Sequence, residues 1–389
     1  MNPRKRNLRV QFDKTPEQID LVKRMGSNNK TESMAALEAV AAVMTKPILQ
    51  VIEQAPVISN LYTTLTYSSG TPSSIPLDDY FDIRSRNFLN VWTASQPGGT
   101  ATNFVQGATE LYVQTYPIES AISFNKNYLA AGNIDHLAAG LTRLVQEVLL
   151  LQQTNAAFVL FNSLAGARID GTTSTATSNL NLARSAAADV FQLDDFNTIM
   201  EMYDNVTSSW VGGTPVNELR EITDMLGSVK WMSQIRSIAY QPQNTRQLVA
   251  TSGATALGAP DSVREQIFKG GGVPTIYDVV LHKVYEMGVN KDYNTVFDTA
   301  IGAVALPGHG TGFGGGTTSV FNGAAEEIVV GLNTEMFDLA RLRMTEEGSE
   351  FSLVVDDTFT QRSRKLGYWG GLREGYVSVE SRGKVGLIW

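Results

Sequence analysis

One run limits what this chain can fold into more than any other. From Ile134 to Leu164 the sequence reads as a single helix, with Asn133 where an N-cap is wanted and Gly166 where a left-handed stop is wanted. No proline occurs in it, and no glycine after Gly140. At the α-helical rise the span is about 46 Å long, far beyond the three or four turns of an ordinary globular helix. Ile134, Leu137, Leu141, Leu144, Val145, Val148 and Leu151 share one side at 3.6-residue spacing. Asp135, His136, Thr142, Arg143, Gln146, Glu147 and Gln153 share the other, and Arg143 and Glu147 form an i,i+4 pair there. From Ala156 to Phe161 the run is apolar all round, so that half needs cover on both sides. Such a helix crosses a domain like a beam, and read alone it is the core helix of a two-layer domain. Gln152 and Asn155 interrupt the apolar stripe, and both are expected to hydrogen-bond to a β-layer beneath.

The segments before it lack a core of their own. Thr15-Pro16-Glu17 is an N-cap followed by proline at the first helical position, and Gly26 closes a short helix. After a linker at Ser27–Lys30, a second helix is expected from about Glu32 to Lys46. Pro47 should break or kink it, with a third short helix to Gln54. From Val57 to Pro117 threonine, serine, tyrosine and glycine dominate. Alternation appears over Leu61–Tyr67, Asn87–Thr93 and Glu110–Tyr116, with a turn signal at Pro97-Gly98-Gly99-Thr100. A long hairpin of this kind is hard to stabilise alone in water; the plainer reading is a β-meander.

Beyond the long helix, 169–178 reads as polar loop and Asp194-Asp195 starts a helix through Tyr203. Val211–Pro215 is a hinge-like break. Val229–Met232 reads as a strand, with a helix from Ser233 to Ser237, and Asp261–Glu265 opens another helix. Val273–Asp278 and Ala324–Leu332 read as strands. Tyr376–Glu380 and Lys384–Trp389 alternate, so the C-terminus is expected to be tied into a sheet. No repeat of 20–50 residues is visible.

Composition excludes several classes. Charged residues are 18% and hydrophobic residues 43% of 389, the profile of a folded chain with much neutral surface. Cysteine is absent, which removes disulfides, thiolate metal sites and thiol nucleophiles. No wholly apolar run reaches about 18 residues, so no membrane span is expected, and the basic start is not a signal peptide. Net charge is −8, unevenly placed: residues 1–30 hold eight Lys/Arg against three Asp/Glu, so they carry +5 and the remainder −13. Arg4, Lys5, Arg6 and Arg9 therefore form a basic arm on an acidic body. It can dock on a neighbouring subunit, meet phosphate, or keep a free end solvated.

Catalytic constellations are missing from the sequence. Gly310-x-Gly312-x-x-Gly315 matches the dinucleotide fingerprint in form, but no apolar helix follows it, and a glycine-rich loop is the better reading. His136, His282 and His309 have no metal-ligand spacing. Asp78-Asp79, Asp194-Asp195 and Asp356-Asp357 are the adjacent pairs common at turns and helix starts. No nucleophile elbow, phosphate loop or zinc-protease motif is found. No catalytic residue, cofactor or metal is expected, and the chain reads as no enzyme.

The order of parts resembles the major capsid proteins of tailed bacteriophages with the HK97-type fold. The likeness rests on the run Ile118-Glu-Ser-Ala-Ile-Ser-Phe-Asn-Lys-Asn-Tyr-Leu129, a Gly-Asn-Ile-Asp helix start at 132–135, and a long helix with Gln-Glu-Val-Leu-Leu and Asn-Ala-Ala. It is strongest over roughly 50–170 and looser over 215–389. It implies an α+β fold with an N-terminal arm at 1–56 and an extended β-hairpin loop (E-loop) at 57–117. A P-domain would take 118–214 and 350–389, including the spine helix 134–164, and an A-domain 215–349. The implied function is self-assembly into pentamers and hexamers of an icosahedral virion capsid enclosing double-stranded DNA. Assembly would occur in the host cytoplasm, with a scaffolding protein, a portal protein and a decoration protein as further partners. An encapsulin-type compartment, or another virion structural protein, is the alternative. Some family members join subunits by an isopeptide bond from a lysine on the extended loop. No lysine lies between Lys46 and Lys126 here, so no crosslink is expected from this loop. Only some 55 residues precede the loop, and the arm is expected to remain uncleaved.

Overall fold

The structure is a computed structural model. It describes residues 15–27, 29–54, 56–76, 110–167, 180–185, 189–208, 221–240, 275–304, 306, 319–334, 339–345, 350–356, 365–379 and 383–389. The expectations for 87–93, 97–100, 169–178, 211–215 and 261–265 lie outside the described residues.

Helix α1 (Pro16–Met25) starts as its sequence dictates. The Thr15 hydroxyl accepts from the Gln18 N–H, and proline occupies the first turn. Helix α2 runs unbroken over Lys30–Gln54 with Pro47 inside it, so the expected division at Pro47 does not occur. Met44, Ile48 and Ile52 are buried on one stripe that continues through the proline. That burial on both sides of Pro47 offsets the one ladder bond it removes. The Ser33 hydroxyl donates to the Met25 carbonyl and ties the two helices together.

A 3-10 turn at Ser59–Leu61 leads into β1 (Thr63–Ser68). Strands β2 (Ser74–Pro76) and β3 (Glu110–Tyr112) pair antiparallel, with Pro76 opposite Glu110. They close the base of the expected long hairpin. Strand β4 (Tyr116–Asn125) runs into α3 (Lys126–Ala130) and then the long helix α4 (Ile134–Gly166). Two capping expectations fail. The Asn133 side chain makes no cap hydrogen bond, and Gly166 stays helical while an extended Ala167 ends the helix. The turn before α4 instead uses Gly132 at φ 76°, a backbone conformation that suits glycine.

Further on come β5 (Leu182–Arg184), α5 (Leu193–Ser208), β6 (Asp224–Gly227) and α6 (Val229–Tyr240). The expected strand at Val229–Met232 is the first turn of α6. Ser228 caps it by accepting from the Trp231 N–H, and the strand lies one step earlier, at β6. Strands β7 (Thr275–Ile276) and β8 (Val279–Lys283) join through Tyr277 and Asp278, both at positive φ. Helix α7 (Asp292–Ile301), β9 (Ile328–Leu332), β10 (Leu339–Thr345), β11 (Ser352–Asp356), β12 (Lys365–Ser378) and β13 (Lys384–Ile388) complete the chain.

Two sheets organise these parts. One has the order β1-β10-β12-β11, with β4 pairing the other side of β12. The second runs β5-β13-β9-β6-β8-β7. β10 comes from the 215–349 stretch and joins the first sheet, while β13 from 350–389 joins the second. The C-terminus is tied in as expected: Trp389 and Glu327 exchange both backbone hydrogen bonds.

Helix α4 links the two cores. Its first half, Leu137 to Leu149, packs with α1, α2, β4, β11 and β12. Its second half, Ala156 to Ala165, packs with α7, β9 and β13. Gly140 lets it approach β4: a Cβ there would stand 2.4 Å from the Phe124 ring. Two stretches, Lys30–Ile52 and Ile134–Gly166, have the length and apolarity to cross a membrane, although no single run is wholly apolar. Here their apolar sides form core.

Candidate assembly surfaces and the polar junction beneath them

The outer side of α4 carries the first candidate surface. Its N-terminal half is wet as expected, with Asp135, His136, Arg143, Gln146 and Glu147 exposed. The C-terminal half departs from expectation. Leu151, placed by spacing on the apolar stripe, is 45% exposed; Leu150 and Phe158 are 57% and 56% exposed. The all-round apolar run is therefore covered on one side only among the described residues. Leu150, Leu151 and Phe158 make this side of the helix a candidate contact surface.

Beneath this helix the first sheet holds a buried polar junction. Gln152 is fully buried, and its amide donates to Glu374 on β12 at 3.0 Å, as expected of a residue interrupting the stripe. Asn155 is not so placed: it is half-buried, and among the described residues no hydrogen bond carries it to the sheet. Arg343 lies directly across the ladder from Glu374 and also pairs with Glu350. The Tyr376 hydroxyl donates to the other Glu374 oxygen at 2.8 Å. Burial opposes the Arg343 charge, but the Glu350 hydrogen bond and the Glu374 and Glu350 charges outweigh it and raise its pKa. Burial, reinforced by the Glu374 charge, pushes the Tyr116 hydroxyl up to about 12 and raises Tyr376 further. One carboxylate thus fastens helix, β10 and β12 at a single point.

Other polar clusters secure the second sheet. His282 on β8 meets Asp224 on β6 at 2.6 Å, and the Thr223 and Thr334 hydroxyls donate to the same carboxylate. Burial alone would raise the Asp224 pKa; the His282 and Thr223 hydrogen bonds, the His282 charge and Thr334 hold it below the usual range. Among the described residues, the partner of His282 in this cluster is the Asp224 carboxylate. Asp195 accepts from Ser185 and from the Gln192 N–H, a cap for α5 rather than a cation site. Arg184 pairs with Glu326 at 2.7 Å.

A groove of about 260 Å³ opens where β12 changes partners from β11 to β10, among Pro117, Glu119, Glu350, Trp369 and Arg373. Ser352 also lines it, with its hydroxyl donating to the Gly371 carbonyl, and Glu350 is paired with Arg343. Among the described residues, no three His, Asp or Glu gather as metal ligands. His136 is exposed beside Tyr128 and Phe124. The basic residues Arg4, Lys5, Arg6 and Arg9 lie outside the described residues, as do His309, the 308–316 glycine run, Asp78-Asp79 and Asp357. The junction Gln152–Glu374–Arg343 was only half visible in sequence: Gln152 signalled itself by breaking an apolar stripe, while its partners sit in distant strands.

No protein-family model and no curated protein sequence matches the chain. Among solved structures it is similar to the capsid of Ralstonia phage GP4, at 12% identity and a TM-score of 0.47, over 85% of this chain and 87% of that one. It is also similar to the capsid of the cyanophage P-SCSP1u, at 11% identity and a TM-score of 0.45, over 86% and 88%. The holo-SrpI encapsulin complex of Synechococcus elongatus matches at 11% identity and a TM-score of 0.40, over 84% and 85%. The chain itself is a mixed helix and sheet fold.

Proposed function

We propose that this chain is a structural subunit of a closed icosahedral shell, the major capsid protein of a tailed phage, and not an enzyme. The observation that carries this reading is the uncovered apolar side of α4, with Leu150, Leu151 and Phe158 exposed along a helix whose opposite side is core. Other subunits would bury it, as heterologous contacts repeat around rings of five and six. The β2–β3 base supports the same reading, because it joins strands separated by 33 residues that a lone chain has little means to stabilise.

On this reading 1–56 serves as arm, 57–117 as extended loop, 118–214 with 350–389 as P-domain and 215–349 as A-domain. Arg4, Lys5, Arg6 and Arg9 engage acidic neighbouring surface. The −13 body faces packaged double-stranded DNA without holding it, since phosphate affinity needs clustered Lys and Arg. A scaffolding protein directs closure in the host cytoplasm, a portal protein occupies one vertex, and a decoration protein takes the place of covalent crosslinks.

Purified particles test the proposal through their contents. Closed shells protecting double-stranded DNA from nuclease are expected. Shells filled with a cargo enzyme would assign the chain to an encapsulin-type compartment instead. A stable monomer that forms no shell even with scaffold present would overturn the reading.

A further inference from the structure

We propose that the β11 strands of two copies pair edge to edge, antiparallel about Val354, across a two-fold axis. The inference rests on the shell-forming reading and names one contact between its rings.

β11 ends the first sheet on the side away from β1. It pairs with β12 and with no other strand among the described residues. Its five residues, Ser-Leu-Val-Val-Asp, hold no proline and no lysine, and their single charge stands at the last position. Proline, lysine and inward-pointing charge are devices that keep a solitary edge from pairing with another chain. The two faces of the strand differ. Leu353 is buried and Val355 packs against the same core, which α2 also lines. Val354 alternates to the opposite face and is 50% exposed.

Trp369 stands directly opposite Val354 on β12 and is 37% exposed, with Ala121 of β4 next in the row. Among the described residues of this sheet, Val354 and Trp369 are the large apolar side chains left exposed. An open apolar row thus crosses three strands and stops at the free edge. A second copy brought in antiparallel continues it, so that Val354 meets Val354 with a Trp369 on either side. Opposed aromatic and β-branched side chains are the pairs that stabilise a sheet.

Charge selects the register. Pairing about Val354 sets Ser352 opposite Asp356 of the second copy, and on the inner face Leu353 opposite Val355. Pairing centred on Asp356 would oppose two carboxylates, which is unfavourable, and pairing centred on Ser352 would break the apolar row. Symmetry fits as well. Two copies of one strand joined antiparallel in a single sheet are related by a two-fold axis perpendicular to that sheet, an isologous contact. An icosahedral shell has two-fold axes normal to its wall, where neighbouring rings meet. A first sheet lying in the wall would therefore run on from one ring into the next.

The absence of cysteine gives a direct test. Full-length Val354→Cys chain is assembled with a scaffolding protein and oxidised. Opposed residues of an antiparallel pair stand about 4.5–5.5 Å apart at Cα, within disulfide reach. A disulfide dimer is expected in shells and absent from free subunit. Differently tagged Ser352→Cys and Asp356→Cys chains should crosslink to each other when assembled together. Assembled singly, neither should crosslink, since the two copies of each residue would lie about 14 Å apart. Shells that give no dimer at Val354, and none between Ser352→Cys and Asp356→Cys, would overturn this contact while leaving the capsid reading intact. Failure of the unsubstituted chain to form shells would overturn both. Val354→Lys provides a readout without oxidation, because it sets two cations on the axis. Loss of shells with unchanged thermal unfolding of the free subunit is expected, and undiminished shell yield would contradict the pairing.

Discussion

Arg343 and Glu374 stand directly opposite each other in the β10–β12 ladder, and both are buried, at 1% and 0% exposure. Removing one partner of a buried pair strands the other, at a cost of about 3–5 kcal/mol. Arg343→Met alone should therefore destabilise the subunit by roughly that amount. Arg343→Met combined with Glu374→Met should recover only part of the loss: it removes the stranded charge but leaves Gln152 and the Tyr376 hydroxyl without their acceptor. Urea unfolding of the two variants checks this; equal destabilisation by single and double substitution would show that the ion pair does not set the cost.

Gly140 offers a test in which two rules oppose each other. Alanine is the better helix former by about 1 kcal/mol. Here, however, its Cβ would lie 2.4 Å from the Phe124 ring and 2.8 Å from Ile122. Overpacking of that kind costs about 1–3 kcal/mol, so Gly140→Ala should lower stability. A raised melting temperature would mean that α4 and β4 are less tightly apposed than the structure has them.

Four tyrosines should titrate late. Burial first, and neighbouring carboxylates second, push Tyr116 and Tyr293 up to about 12, and burial raises Tyr368 and Tyr376 further. A folded pKa above the unfolded value near 10 contributes stability that is complete below pH 10 and lost as the pH rises through the folded value. Ultraviolet titration should show part of the 13 tyrosines ionising only as the fold opens. Asp224 has the opposite sign. Its depressed pKa contributes stability that is present above its ordinary value of 3.8 and lost as the pH falls through the folded value. Asp224→Asn should flatten acid unfolding in that window, and an unchanged acid profile would remove Asp224 from the account.

The exposed side of α4 gives the prediction closest to function. Leu151→Ser with Phe158→Ser should leave the isolated subunit within about 0.5 kcal/mol of its stability, as surface changes do. It should abolish shell formation. Sedimentation and thermal unfolding together separate these effects: shells of normal yield would show that this face is not an interface.

The sequence was legible where one periodicity dominated. The inward stripe of α4 from Ile134 to Val148 followed directly from 3.6-residue spacing, and Gln152 announced a polar contact by interrupting it. Leu151 and Phe158 were misplaced because apolar character states a preference for burial without naming which chain provides it. Pro47 was read as a break or kink, and the break does not occur, because the burial of Met44, Ile48 and Ile52 on both sides of it is tertiary information. Val229–Met232 looked like a strand from its valine and tryptophan, although Ser228 three residues before Trp231 was a cap signal in plain view. The Arg343–Glu374 pairing had no local signature, since register between strands 31 residues apart is fixed only by the sheet.

A capsid subunit must close into shells. Negative-stain electron microscopy of the full-length chain expressed with a scaffolding partner tests it most directly. Closed polyhedral particles are expected for the natural chain, and none for the Leu151→Ser, Phe158→Ser variant. A field containing only small, uniform, well-folded monomers of the natural chain would contradict it.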